Sequence, residues 1–293
     1  MNRTLAKKAL AYLLGGLILA GILILWRFPY ESLQHRLEAA ARERLGLRLE
    51  LADLSPTFPP GFKLGQCSVS SVELGSQPLF QATRVHLRLK VLHLLRGSLV
   101  FAMRSQAYEG SLNGEVRLAP FYDLQNYRLV VNWESIQLDN HPANTTLLNR
   151  QISGKTSGDF RMKGQLDEFP NGTGVANLRL MEGTCEIDSP YLTTNTLDEL
   201  EISATIKLTG GILEVSQCQF KARGLEGNLN GKVELRPRLS RSTLNLAGEG
   251  VIDPAMVNLP PDQLRVAAAF LNQGKPVPFK VRGTIEEPRL GLF

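Results

Sequence analysis

Cysteine and histidine are scarce in this chain of 293 residues: Cys67, Cys185 and Cys218 are the cysteines, and His35, His86, His93 and His141 the histidines. Three cysteines cannot all pair with one another, and their spacing matches no zinc pattern. One disulfide among them is open to an oxidising compartment; three buried small hydrophobes is the simpler reading. No histidine stands at the helical spacing of an HExxH site, and no GxSxG elbow, Walker loop or dinucleotide fingerprint occurs. His86 and His93 sit among basic residues and read as exposed rather than liganding. The short acid runs Asp198, Glu199 and Glu201, and Glu286 and Glu287, read as solvated turns rather than general acids. No catalytic, cofactor-binding or metal-binding residue is therefore assigned, and the chain is read as non-enzymatic. Strong charge is also missing. The net charge of +5 is scattered, with no basic stripe interleaved with aromatics, which argues against a nucleic-acid partner.

What is present begins with Ala9 to Trp26, ALAYLLGGLILAGILILW, a run without charge or proline. As a helix it spans about 27 Å, close to the hydrocarbon thickness of a bilayer. A cleaved signal peptide would need a shorter apolar core and a small-x-small site, but the run ends in Trp26-Arg27-Phe28-Pro29. A single-pass anchor is the expectation. Arg3, Lys7 and Lys8 then hold residues 1–8 in the cytoplasm and place the bulk of the chain in the periplasm. Gly15, Gly16 and Gly21 form no GxxxG pair to drive helix dimerisation. Over 27–46, Leu33, Leu37, Ala41 and Leu45 recur at helical spacing behind Pro29, giving an amphipathic helix that caps the following sheet.

From Leu47 the apolar period changes to two. Leu47, Leu49 and Leu51 alternate with Arg48 and Glu50, and Ser55 to Gly61 reads as a loop. Phe80 to Val91 alternates most cleanly: Val85, Leu87, Leu89 and Val91 share one face, as an apolar groove or a core row, while His86, Arg88 and Lys90 share the other. Strands are expected at 63–74, 98–105, 111–118, 127–133, 157–166, 174–182, 201–208, 225–235, 242–248 and 278–285, with a Gly210-Gly211 hairpin joining Leu208 to Ile212. A short helix is expected near Asn144 to Arg150. Another starts at Asp253-Pro254 and carries Leu264, Ala268 and Leu271.

Gly110-x-Leu112-x-Gly114-x-Val116-x-Leu118 is echoed by Gly227-x-Leu229-x-Gly231-x-Val233-x-Leu235. Lys163-Gly164-Gln165-Leu166 is likewise echoed by Arg282-Gly283-Thr284-Ile285. The echoes imply duplicated halves or one hairpin grammar used twice. Because strand glycines mark bulges and bends, the expectation is a mainly β domain over 47–293, a strongly curved, mostly antiparallel sheet with a few short helices.

The apolar run, Phe28-Pro29-Tyr30-Glu31-x-Leu33, Arg44-Leu45-Gly46-Leu47, Leu54-Ser55-Pro56 and Leu94-Leu95-Arg96-Gly97-Ser98-Leu99 together resemble the type II secretion system protein N family. Gly227-x-Leu229-x-Gly231 and Val281-Arg282-Gly283-Thr284-Ile285-x-Glu287-Pro288 are similar to the wider AsmA-like group. The resemblance implies an inner-membrane location, a β-rich periplasmic domain and an accessory role beside other type II secretion components. It carries no catalytic residues. The AsmA-like likeness implies a second partner, lipid, held against an apolar sheet face. This chain is too short for a conduit across the periplasm.

Overall fold

The computed structural model describes residues 12, 16, 30–45, 47–57, 60–71, 78–120, 125–139, 141–142, 144, 150–165, 172–187, 192–236, 241–258 and 275–292. Apart from Tyr12 and Gly16, both helical, the run Ala9 to Trp26 lies outside them, as do residues 1–8, the segment 145–149 and the stripe Leu264 to Leu271. No helix among the described residues is long and apolar enough to cross a membrane.

Helix α1 (Tyr30–Leu45) leads into β1 (Leu47–Ala52), β2 (Ser55–Thr57), β3 (Gly61–Ser71) and β4 (Pro78–Leu89). A single helical turn, α2 (Val91–Leu94), precedes β5 (Leu99–Ala107), β6 (Gly110–Ala119), β7 (Asn126–Gln137), β8 (Ile152–Gln165) and β9 (Thr173–Glu186). The rest are β10 (Thr196–Thr209), β11 (Ile212–Ala222), β12 (Leu225–Glu234), β13 (Thr243–Ile252), β14 (Val277–Thr284) and β15 (Pro288–Leu292). All strands belong to one antiparallel sheet of 15 in which sequence neighbours are spatial neighbours; β1 and β2 both pair β3. Ser55 to Thr57 is therefore strand rather than loop. Asp53, in the left-handed region at φ 57, breaks one edge strand into two pieces.

Alternation explains the register. Asn113, Asn132, Asp159, Asn177 and Thr205 stand directly opposite one another across β6 to β10. They form a polar ladder in which Asn177 Nδ2 donates to Asp159 Oδ1 at 3.0 Å and Thr205 Oγ1 to Asn177 Oδ1 at 3.1 Å. One position away, Leu112, Trp133, Gly158, Leu178 and Ala204 form the matching apolar row. A slip of one residue would exchange the faces, so this contrast fixes the pairing.

Alternation is reset at four places by a residue in the left-handed region: Arg84, Ser135, Glu182 and Glu199. Each lies at a register shift, between Thr83 and His86, Trp133 and Ile136, opposite Gly154, and between Leu197 and Leu200. These bulges turn Val85, Ile136 and Leu197 onto the same face as the residues before or after them.

The sheet is open: its path ends at β1 and β15, and it is neither strongly curled nor closed. The expectation of strong curvature from strand glycines is corrected here, and the reason is local. Gly158, Gly227 and Gly248 keep ordinary strand φ values and stand directly opposite Trp133, Phe220 and Phe279. A Cβ at any of the three would meet the ring across from it. They make room for an aromatic ring folded over the neighbouring strand rather than a bend. The two sequence echoes fall on β6 and β12 and on β8 and β14, each a displacement of six strands.

Candidate functional site: a half-covered apolar face

The two ends of the sheet differ. At the loop end, long connections follow β7, β9 and β13; at the turn end, β10 and β11 meet through Gly210 and Gly211 at φ 55 and 80, a tight hairpin turn. Leu138, Ile187 and Met256, from the long connections, pack onto the buried residues Leu180, Leu197, Leu200 and Ala222. Asn144, itself buried, donates to the carbonyls of Leu138 and Ile152 at 2.8 and 2.7 Å and pins one of these loops down. A second buried cluster, Leu64, Ala82, Val85, Ala107 and Ile136, is roofed by Tyr108, whose hydroxyl accepts from Gln81 N at 2.8 Å.

His141 lies on that roof, its ring centroid 4.4 Å from Tyr108. Burial holds its pKa below the ordinary 6.5. The unfolded chain therefore takes up a proton at His141 before the folded chain does, so stability is full above pH 6.5 and is lost as pH falls. Melting temperature should drop on acidification below pH 6.5, and less steeply in His141→Phe than in the parent. Thermal scans across pH 7.5 to 5 check this, and equal slopes would remove His141 as the cause.

Toward the middle of the sheet these two clusters give way, among the described residues, to strand residues alone. From Leu87 on β4, through Met103, Val131, Ala176, Val215 and Leu246, to Leu290 on β15, one row crosses twelve strands without a polar side chain. Eleven interstrand steps make it roughly 50 Å long. Of its residues Leu246 is buried and the others are half-buried. The adjacent row toward the turn end, Leu89, Phe101, Val116, Leu129, Met162, Gly174 and Leu208, is equally apolar. Among the described residues no second sheet and no helix lies over these rows; α1 packs on β1 and α2 on β5. Where the described residues leave it open, a contiguous apolar face of this extent exceeds what an isolated soluble domain normally shows.

The four residues singled out by alternation are divided by the structure. Val85 is 4% exposed and belongs to the roofed cluster. Leu87 and Leu89 are half-buried and open the two apolar rows. Val91 is not on the strand at all: β4 ends at Leu89, and Val91 begins α2 with 46% exposure. Cys67, Cys185 and Cys218 are free and half-buried, and burial raises all three thiol pKa values, which leaves them protonated and unreactive. They sit on β3, β9 and β11; β9 and β11 are separated by β10, beyond disulfide reach. Among the described residues no three histidine, cysteine or acid side chains converge as metal ligands. Depressions on the opposite face, such as one of about 510 Å³ lined by Arg179, Glu201, Gln219 and Lys221, carry mixed charge and lie open.

No family model, curated protein or solved structure matches the chain.

Proposed function

We propose that this chain is a non-enzymatic lipid-handling protein that holds acyl chains against the uncovered apolar face of its sheet while the run Ala9 to Trp26 keeps it at the inner membrane. The observation that carries the reading is the central row from Leu87 to Leu290, apolar in every position and only half-buried almost throughout. Hydrocarbon is the occupant this surface suits, because it offers area without a hydrogen-bonding group that would fix a polar ligand's orientation. The cross-strand glycines contribute as well. The absence of a Cβ at Gly158, Gly227 and Gly248 leaves space on this face for the rings of Trp133, Phe220 and Phe279, which add apolar area to it.

A photoreactive residue at Val131, on the apolar row, is expected to give phospholipid adducts when the full chain is irradiated in native membranes. One at Asn132, on the opposite face of the same strand, is not. Equal labelling at both positions, or none at Val131, would overturn the reading. The second reading is docking onto other type II secretion components, as the sequence resemblance implies. It is favoured by the outer edge of β15, which ends the strand path, whereas the edge at β1 is capped by α1 through Gln34 Nε2 donating to the Leu51 carbonyl at 2.7 Å. An open edge is where an added strand from another protein pairs. Protein adducts at Val131 in place of lipid would favour this docking role.

A further inference from the structure

Gln34 of α1 bonds Leu51 near the end of β1, while Leu45 lies one residue before its start, so α1 runs antiparallel to β1. The start of α1 thus points toward the turn end of the sheet. The same end carries α2 and its flank. There Leu92 is 75% and Leu95 86% exposed. Three residues apart, they share one side of the turn, with Arg96 exposed beside them.

Level with Lys90, just before that turn, the opposite face holds an unusual row. Lys90 N donates to the carbonyl of Val100, and Val100, Arg117, Arg128 and Lys163 stand directly opposite one another across β5 to β8. Three cations in register within about 10 Å repel one another and weaken the sheet. Among the described residues none of the three has an ion-pair or side-chain hydrogen-bond partner, although Lys90 nearby is paired with Glu115 at 2.5 Å. They line an open depression of about 630 Å³ with Asn126, Gln165 and Thr173. An exposed leucine pair beside an uncompensated cation row is the composition of a surface that meets anionic headgroups and dips apolar side chains beneath them.

We infer that the turn end of β4 to β8 rests on an anionic bilayer surface, with Leu92 and Leu95 in the interface and Arg117, Arg128 and Lys163 against headgroup phosphates. This rests on the acyl-chain reading and deepens it. The row Leu89, Phe101, Val116 and Leu129 starts beside α2, so a lipid tail leaving the bilayer there passes directly onto the apolar face.

The test uses the full chain, with its three cysteines replaced by alanine, reconstituted into vesicles containing phosphatidylglycerol. Spin labels are placed by Leu92→Cys, Leu95→Cys and, at the far end of the sheet, Arg223→Cys. Labels at 92 and 95 are expected to collide more with oxygen than with a water-soluble nickel chelate, and the label at 223 the reverse. Arg117→Gln, Arg128→Gln and Lys163→Gln together should shift the labels at 92 and 95 toward water, as should replacing phosphatidylglycerol by phosphatidylcholine. Labels at 92 and 95 as water-exposed as the one at 223 would overturn the inference, as would no response to lipid charge. The two failures are separable: lipid adducts at Val131 with 92 and 95 in water leave the acyl-chain reading standing and remove this one.

Discussion

Valine in place of Gly248 is expected to destabilise the sheet by about 3 kcal/mol or more, the cost of overpacking where backbone must move. A Cβ there would overlap the carbonyl oxygen of Asn228 on β12 and, at 2.8 Å, the ring of Phe279 on β14. Neither can give way cheaply. Asn228 is in register with Glu249, inside a continuous β12–β13 ladder, and Phe279 packs edge-on against Phe220 at 6.1 Å. Thermal unfolding should move down by roughly 10 °C for a domain of this size. Gly291→Ala is the control: at that position on β15 the nearest atom stands 3.9 Å away, so little change is expected. A Gly248→Val chain that melts with the parent would mean that β12 to β14 are not packed as described.

The glycines also show where sequence reading reaches its limit. Gly-x-Leu-x-Gly patterns were legible as strands. What they do to the sheet was not legible, because a strand glycine is equally a bend or a berth for a ring. The choice depends on the residue opposite, which is set by register. The strand ends failed for a related reason. Alternation stops at Trp133 on β7 and at Glu182 on β9, and begins only at Ser157 on β8 and Glu201 on β10. In each case the structure carries the strand four residues or more further, beyond a bulge at Ser135, Glu182, Gly154 or Glu199. A bulge inserts one residue, so the apolar face changes from odd to even positions and a period of two is lost there. Three of the four left-handed positions are Ser or Glu in place of glycine, with no local signal to announce them.

The candidate site was legible in its chemistry and not in its extent. Val85, Leu87 and Leu89 face one way as their spacing requires. No pattern within one strand tells whether its apolar side is roofed, since half-buried and fully buried rows alternate alike. The roof is made by connections distant in sequence, Leu138 and Met256 among them, and their described residues pack at the loop end. The basic row was invisible for the same reason: Arg117, Arg128 and Lys163 are separated by a turn and a loop, and only pairing across β6, β7 and β8 sets them side by side.

The second large effect concerns Ile206, half-buried at the middle of the central row between Ala176 and Val215. Aspartate at this position keeps its carboxylate hydrated while the face is empty, so the fold survives. An acyl chain laid across β10 must strip that water, and burying an ionised group without a partner costs several kcal/mol. Ile206→Asp should therefore reduce lipid adducts at Val131 by about tenfold or more, each 1.4 kcal/mol corresponding to a factor of ten. Lys207→Asp is the matched control: the next residue on the same strand, exposed on the opposite face, with the same new side chain. Its adduct yield should equal that of the parent. If both substitutions lower the yield together, β10 has been disturbed as a strand; if neither does, acyl chains do not cross the centre of the apolar face. Loss at Ile206 alone is the result that places hydrocarbon on the row from Leu87 to Leu290, since only the face, and not the strand, differs between the two chains.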